Sequence, residues 1–415
     1  MSHLALFGGE PVRTKPFPSW PVCDEREVEA AARAIRSGRW GIGKGEGEVS
    51  RFEKAYAAFH GAKHGVCVHS GTTAIRVALQ ALGVKAGDEV IAPAYTFIGT
   101  VSPIMDLGAV PVFVDIHPDT YNIDPAAVEA AITRRTVGIL PVHFGGLPAD
   151  MDALRRIAKR RGLWIMEDAA QAWGAEWDGT GVGHIGNAGI FSFQSSKNIT
   201  SGEGGIILTD DDELEELLRS YGNCGRSSTG IWYGHYRIAG NYRMSEIIGA
   251  ILSVQLERYP ELMARRQKNG EYLAGRLAEI PGFKPLVVQK QVTNHAWHLF
   301  IWRYNADEFE GLPRKRFIEA MQKEGVPVYH GYSIPLYKQP VFTEKNFDPK
   351  HAARKVDFSK IRCPVAERAC DSESLWLTQS ILLGNERDME DIVAAAEKVR
   401  ENVDALVKQP AGAGR

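Results

Sequence analysis

Between about residues 65 and 210 the chain alternates two kinds of segment: short, almost wholly apolar runs, and stretches whose apolar positions recur at helical spacing. Val66-Cys67-Val68, Glu89–Ala92, Val110–Asp115, Gly138–Val142 and Leu163–Asp168 read as strands. Thr73–Leu82, Ile98–Leu107, Pro125–Ile132 and a segment from near Asp150 to near Arg161 read as the helices between them. A strand with no polar alternation is one covered on both faces, and short parallel strands need helical crossovers. The pattern therefore predicts an α/β fold, a mostly parallel sheet flanked by helices with right-handed connections.

The flanks read differently. Residues 1–22 carry Gly8-Gly9 and four prolines and are expected to form an extended arm. Asp24 with Glu27 makes a capping box, which starts a helix running to about Ser37. A long helix is predicted from Ser245 to Glu279 with Pro260 inside it. After it, Ala296–Tyr304 reads as a strand, Pro313–Glu324 as a helix, Val326–Tyr329 and Ser374–Leu383 as strands, and Arg387–Leu406 as a terminal helix. The expected organisation is an arm (1–22), a large cofactor-binding domain (23–265), a smaller C-terminal α+β domain (266–408) and a frayed tail (409–415).

Composition narrows the function class. A chain of 415 residues with 44% hydrophobic and 24% charged positions is ordinary for a globular enzyme of two domains. A formal net charge of −2 offers no basic surface for nucleic acid or for an anionic membrane. No apolar run is long enough to span a bilayer, and the apolar stretch after Met1 is too short for a signal peptide. The five cysteines are scattered and form no CxxC pair, so a reducing cytoplasm is the simplest location. The histidines form no HExxH string or tight His/Cys cluster, and no metal site is expected.

Three elements carry chemistry. Ser70-Gly71-Thr72-Thr73-Ala74 follows the first strand and opens a helix, so small residues, free amides and hydroxyls together suit a phosphate; the plainer alternative is a helix cap. Asp168 ends a buried strand, where open α/β sheets bind ligands, and Gln171 lies one helical turn further on. Lys197 follows the apolar run Phe191-Ser192-Phe193 and precedes Gly202-Glu203-Gly204-Gly205. A lysine held partly neutral can form an imine, and a carboxylate can keep a pyridine nitrogen protonated; that pair is what pyridoxal 5′-phosphate (PLP) needs. At about 4 Å and an effective dielectric near 20 the attraction is roughly 4 kcal/mol, about three pKa units.

Two strings imitate nucleotide motifs. Gly38–Gly45 resembles a phosphate loop but lacks a Ser/Thr after Lys44 and follows a helix. Gly181-Val182-Gly183-His184-Ile185-Gly186 fits GxGxxG but leads into a strand. His143, His295 and His298 read as structural, and His330 as the best histidine for a pocket.

Taken together, Ser70–Ala74, Pro93-Ala94-Tyr95-Thr96-Phe97, Pro141-Val142-His143, Glu167–Gln171, Lys197-Asn198-Ile199-Thr200, Gly202–Gly205 and Gly240-Asn241-Tyr242-Arg243-Met244 resemble, in order, the DegT/DnrJ/EryC1/StrS sugar aminotransferases, fold-type I PLP enzymes. The resemblance implies that Lys197 is the Schiff-base lysine and Asp168 the partner of the pyridine nitrogen. Gln171 would touch the phenolic oxygen, Phe97 would stack on the ring, and Gly71, Thr72, Thr73 and Ser192 would hold the phosphate. Asn241 would reach the cofactor of a neighbouring subunit, which implies a homodimer with shared active sites. His330, Arg243 and Tyr95 are the candidate substrate contacts.

The segments His330–Leu336 and Cys363–Ala369 with Leu375-Trp376-Leu377 look most like glutamine-dependent scyllo-inosose aminotransferases. The expected reaction is transfer of an amino group from glutamine or glutamate to a keto sugar or keto cyclitol. Alternatives on the same fold are an aminodehydroquinate-type dehydratase forming 3-amino-5-hydroxybenzoate and a nucleotide-linked keto-sugar aminotransferase. A PLP-binding regulator is the alternative outside enzymes; no helix-turn-helix or basic segment accompanies the core.

Overall fold

The computed structural model describes residues 3–41, 47–231 and 233–408. Part of the phosphate-loop-like string and the tail 409–415 lie outside the described residues.

The chain enters its globular part through helix α1 (Glu25–Arg36), which Asp24 and Glu27 cap reciprocally as the sequence suggests. Helix α2 (Glu48–His60) was not anticipated; its N-cap is Gly47, which has no side chain to advertise a start. The alternating region then gives β1 (His64–Val68), α3 (Gly71–Ala81), β2 (Glu89–Pro93), α4 (Ser102–Asp106), β3 (Val110–Val114), α5 (Pro125–Ala131), β4 (Thr136–Ile139), α6 (Met151–Arg161) and β5 (Trp164–Asp168). A small hairpin, β6 (Glu176–Trp177) and β7 (Thr180–Gly181), precedes β8 (Ala188–Ser192) and β9 (Gly205–Thr209).

Seven of these strands form one sheet in the order β1-β9-β8-β5-β4-β2-β3. Neighbours from β8 to β3 are parallel, and β9 is antiparallel to both β8 and β1. The reversal has a local cause. Residues 193–204 join β8 to β9 without a crossover helix, and only an antiparallel neighbour can be reached that way. That helix-free connection carries Lys197.

After α7 (Asp212–Gly222) comes α8 (Glu246–Ala278), one helix of 33 residues with Pro260 inside it; residue 265, where the sequence reading sets a boundary, lies within it. Its first half packs against α1 and α2, while Leu273 and Leu277 join a second core with β10 (Phe283–Pro285), β12 (Leu299–Tyr304) and β13 (Ser374–Thr378), which form a three-stranded antiparallel sheet. β11 (Val292–Asn294) pairs instead with β6. The region around residues 336–370 packs onto the large sheet, with Phe342 5.2 Å from Phe113 between ring centroids.

Two expectations change. Val326–Tyr329 is not a strand: only Tyr329 forms a bridge, to Trp376, because Pro327 has no amide to donate to a ladder. The predicted strand Ser374–Leu383 stops at Thr378 and ends in a 3₁₀ turn, Ile381–Leu383. The N-terminal arm is irregular apart from one 3₁₀ turn, but it is pinned. The buried Glu324 carboxylate accepts the amides of Ala5 (2.7 Å) and Val12 (3.1 Å) and pairs with Lys398 at 2.8 Å. Arg13 adds contacts to Asp388 and Asp391. The arm then reaches the large domain and sets Trp20 into its main cleft.

Candidate active site

A cleft of about 850 Å³ opens at the carboxyl ends of the central strands, and Asp168, Lys197, Gly71, Thr72, Phe97, Gln171 and Ser192 all line it.

Asp168 is the last residue of β5. Its backbone is clamped on both sides, its amide donating to Pro141 (2.8 Å) and its carbonyl accepting from His143 (3.1 Å). Its carboxylate, 4% exposed with its residue, accepts from the Thr100 hydroxyl at Oδ2 (2.8 Å) and from the Ala170 amide at Oδ1 (3.1 Å). Burial raises its proton affinity, and these two hydrogen bonds oppose the rise.

Lys197 sits in the turn after β8, half-buried, with its Nζ 5.8 Å from the centroid of the Trp173 ring. Burial lowers its amine to about 8, against the pull of the Asp168 charge. The next residue fixes the turn: Asn198 donates from Nδ2 to the Ala296 carbonyl (2.8 Å) and pairs through Oδ1 with His298 (2.9 Å).

Helix α3 begins at one end of the cleft. Ser70 is its N-cap, and its Oγ accepts from the Thr73 amide at 3.2 Å. The first amides of a helix have no intrahelical acceptor, and the positive end of the helix dipole lies with them. Gly71 is required for closeness: a Cβ there would stand 2.7 Å from Cβ of Ser192. A second close approach is made by Gly205, whose Cβ would lie 2.5 Å from the Ser70 carbonyl. The result is a tight, hydroxyl-rich cradle of Ser70, Gly71, Thr72 and Ser192, suited to a phosphate.

Phe97 is 58% exposed with its ring on the cleft, as a stacking platform requires. Gln171 accepts the Gly145 amide at Oε1 (2.7 Å), which turns its amide nitrogen toward the cleft and Tyr332. A donor there suits a phenolic oxygen. The cradle, the platform, the amide and the buried acid lie in one cleft with the lysine, and that donor set fits PLP.

Five candidates do not line this cleft. Thr73 donates its amide to the Ser70 Oγ and its hydroxyl accepts from that same Oγ (2.9 Å), so it completes the helix cap that Ser70 makes, the plainer of the two readings at this position. Tyr95 is 1% exposed and lies behind the wall, its ring 5.3 Å from Tyr332. His330 is exposed and does not line the cleft, although its neighbours Tyr329, Gly331 and Tyr332 do. Arg243 donates to Asn223 (2.7 Å) and lines a separate cavity of about 380 Å³ with Glu53, Arg219 and Glu246. Asn241 is exposed and bridges to Asn223, away from the cleft of its own chain.

The structure adds lining residues that sequence reasoning missed: Thr100, Trp20, His298, Tyr332, Trp376 and Gln379. Thr100 had one faint signal, a threonine four residues after Thr96, and the two hydroxyls do lie 3.0 Å apart. The others come from distant segments that only folding brings together. The GxGxxG-like string proves to be a carboxylate cradle: the amides of Gly183 and Gly186 both donate to Glu167, at 2.8 and 2.7 Å.

Comparison with known proteins agrees with this geometry. The family model described as the DegT/DnrJ/EryC1/StrS aminotransferase family matches residues 21–396. A protein of Streptoalloteichus tenebrarius with the provisional name L-glutamine:3-amino-2,3-dideoxy-scyllo-inosose aminotransferase is 43% identical over 98% of this chain and 99% of its own. The L-glutamine:2-deoxy-scyllo-inosose aminotransferase of the same organism is 39% identical over 96% of this chain and 97% of its own. The crystal structure of 3-amino-5-hydroxybenzoic acid synthase superimposes with a TM-score of 0.85 at 34% identity, covering 96% of this chain and all (100%) of that one.

Proposed function

The chain belongs to the DegT/DnrJ/EryC1/StrS aminotransferase family, and from that premise we propose that it moves the amino group of glutamine to a keto cyclitol of the scyllo-inosose kind. It is a PLP-dependent aminotransferase. The observation that carries the reading is the single cleft in which a softened lysine amine, a buried carboxylate and a phosphate cradle meet. The choice of glutamine and cyclitol rests on the relatives' names; three carry scyllo-inosose aminotransferase names at 39% identity or more over 96% or more of this chain.

PLP supplies an aldehyde that bonds amines and a ring that stores an electron pair. In the proposed roles, Lys197 would be the amine that holds the aldehyde carbon, and its Nζ would serve as base and then acid, moving a proton from the donor's α-carbon to that same aldehyde carbon. At about 8, the amine is neutral far more often at pH 7 than an ordinary lysine, which suits both tasks. Asp168, its oxygens aimed by Thr100 and the Ala170 amide, would keep the ring nitrogen protonated, and Gln171 would donate to the phenolic oxygen. Gly71, Thr72 and Ser192 would hold the phosphate, and Phe97 would pack against the ring.

The working unit in this proposal is a homodimer. Ile231 and Ile238 are 76% and 97% exposed in the segment before Asn241, and such apolar exposure favours burial against a second copy. Asn241, which does not serve its own cleft, would then serve the partner's. Among the described residues no helix is long and apolar enough to cross a membrane, and all five cysteines are free, in keeping with the proposed cytoplasmic location.

The test is direct. Glutamine should convert the PLP-loaded protein to its aminated form with release of an oxo acid. Keto cyclitols should return the aldehyde absorbance, and nucleotide-linked keto sugars should not. An aromatic amine product, or return only with nucleotide sugars, would overturn the acceptor assignment.

A further inference from the structure

Arg266, in the middle of α8, is fully buried, with 0% exposure. Its Nε donates to Oε1 of Gln379 at 3.0 Å, and its Nη2 donates to the same oxygen. Among the described residues its Nη1 has no hydrogen-bond partner. It makes no ion pair among the described residues; beyond Gln379, the rings of Trp20 and Tyr259 lie 5.2 and 5.9 Å from the guanidinium carbon. A buried charge is normally paired, because an unpaired one is costly. This one is compensated only by a neutral amide and two aromatic faces.

The arrangement touches the cleft at several points. Gln379, Trp20 and His298 all line it, and Arg266 lies behind them. Two guanidinium donors on Oε1 settle the orientation of the Gln379 amide, so the nitrogen is the atom left for the cleft side. Trp20 is locked as well, with its Nε1 donating to the Ser195 carbonyl at 2.9 Å, two residues before Lys197. The end of the cleft near Lys197 is therefore backed by a buried guanidinium without an ion-pair partner among the described residues, fronted by a hydrogen-bond donor.

Of the two substrates proposed above, only the amino acid carries an anion; a keto cyclitol is neutral. We propose that Gln379, held by Arg266 and flanked by Trp20, is the docking point for the amino donor's α-carboxylate. Gln379 Nε2 makes the contact, and the guanidinium behind it supplies the field. Gln379 is thus a donor-specificity residue and Arg266 a positioning residue. The inference rests on the transaminase reading and deepens it.

The experiment separates the two half-reactions and adds a binding measurement. The probe is glutaramate, the carbon skeleton of glutamine without its amino group, titrated calorimetrically into the PLP-loaded protein. Gln379→Leu removes the amide donor and should weaken glutaramate binding and glutamine half-saturation about tenfold. Gln379→Glu gives Arg266 an internal carboxylate and sets a like charge against the ligand, and should weaken both about a hundredfold. The acceptor half-reaction, started from pyridoxamine-phosphate-loaded protein with a keto cyclitol, should slow far less in both. Circular dichroism and retained cofactor absorbance report folding, and because Gln379→Leu introduces no charge, loss of one variant leaves the other decisive. Unchanged glutaramate affinity in a folded variant, or a slowing confined to the acceptor half-reaction, overturns the proposal. If the unmodified protein releases no oxo acid from glutamine, the transaminase reading falls instead.

Discussion

Glu167 and Asp168 are consecutive carboxylates on the same strand, and the fold uses them in opposite ways. Alternation along β5 sends them to opposite faces of the sheet. Glu167 is 0% exposed and accepts the ring of His143 at 2.9 Å and the amides of Gly183 and Gly186. His143 is fixed in turn, its Nδ1 accepting the Ala149 amide at 3.0 Å, so the ring donates to Glu167 from Nε2. Three protein donors hold this carboxylate, two on Oε2 and one on Oε1. Asp168 has only Thr100 and the Ala170 amide, and it borders a cleft large enough for a cofactor and a substrate. A fully bonded buried acid is a fastener; an incompletely bonded one beside a cavity is a tool.

Substitutions test that contrast, and the largest effect lies at the other end of the tool. Lys197→Ala should lower turnover by more than about 10⁴-fold and remove the visible absorbance of the lysine-linked cofactor, while circular dichroism stays unchanged. Asp168→Asn comes next. It keeps shape and the acceptance from the Ala170 amide on its one oxygen, while the Thr100 hydroxyl turns to accept from the new NH₂ and donates to Thr96 instead, yet the charge is lost; kcat should fall about 10²- to 10⁴-fold with a small change in melting temperature. Glu167→Gln is the mirror experiment. It sets an NH₂ group against donors, so stability should fall by about 1–3 kcal/mol in denaturant titration, while kcat per folded molecule stays within about threefold. If Glu167→Gln instead abolished chemistry without loss of stability, the division of labour drawn here would be wrong.

A pH measurement refines the same picture. The amine of Lys197 is lowered by burial to about 8 from an ordinary 10.5, and its neutral form is the reactive one. Attachment of PLP to cofactor-free protein should therefore speed up about tenfold per pH unit from 6 and level off near 8, when followed by absorbance. The linkage has a definite sign. The unfolded chain holds this proton more tightly, so between about 8 and 10.5 this group makes the cofactor-free protein more stable as pH rises. The smallest effect belongs to Phe97→Ala. A ring 58% exposed contributes little to the core, so stability should move by less than about 0.5 kcal/mol while PLP affinity falls severalfold.

The legible parts of this protein are those whose physics is local. The alternating strands and helices of residues 65–210 follow from periodicity, and the capping box at Asp24 announces α1 before any folding is considered. Asp168, Gln171, Lys197 and the Gly71 turn could be named because each stands at the end of a readable element. His330, Arg243 and Tyr95 were less accessible to such reading, because whether a side chain in an irregular segment faces a cleft depends on what packs behind it. His330 sits in an irregular segment whose neighbour Tyr329 bridges to Trp376, far along the chain, and such a contact cannot be read from local pattern.

The sequence by itself determined the α/β alternation, the place of the acid at a strand end and the lysine on the connection before the glycines, because those depend on side-chain period and backbone freedom over a few residues. Only the tertiary structure decided that β9 closes onto β1, that the pinned arm brings Trp20 to the cleft, and that Arg266 stands behind Gln379 without a counter-ion among the described residues. Those depend on segments more than a hundred residues apart meeting in one place, where burial sets the cost of a charge and so what that charge can do.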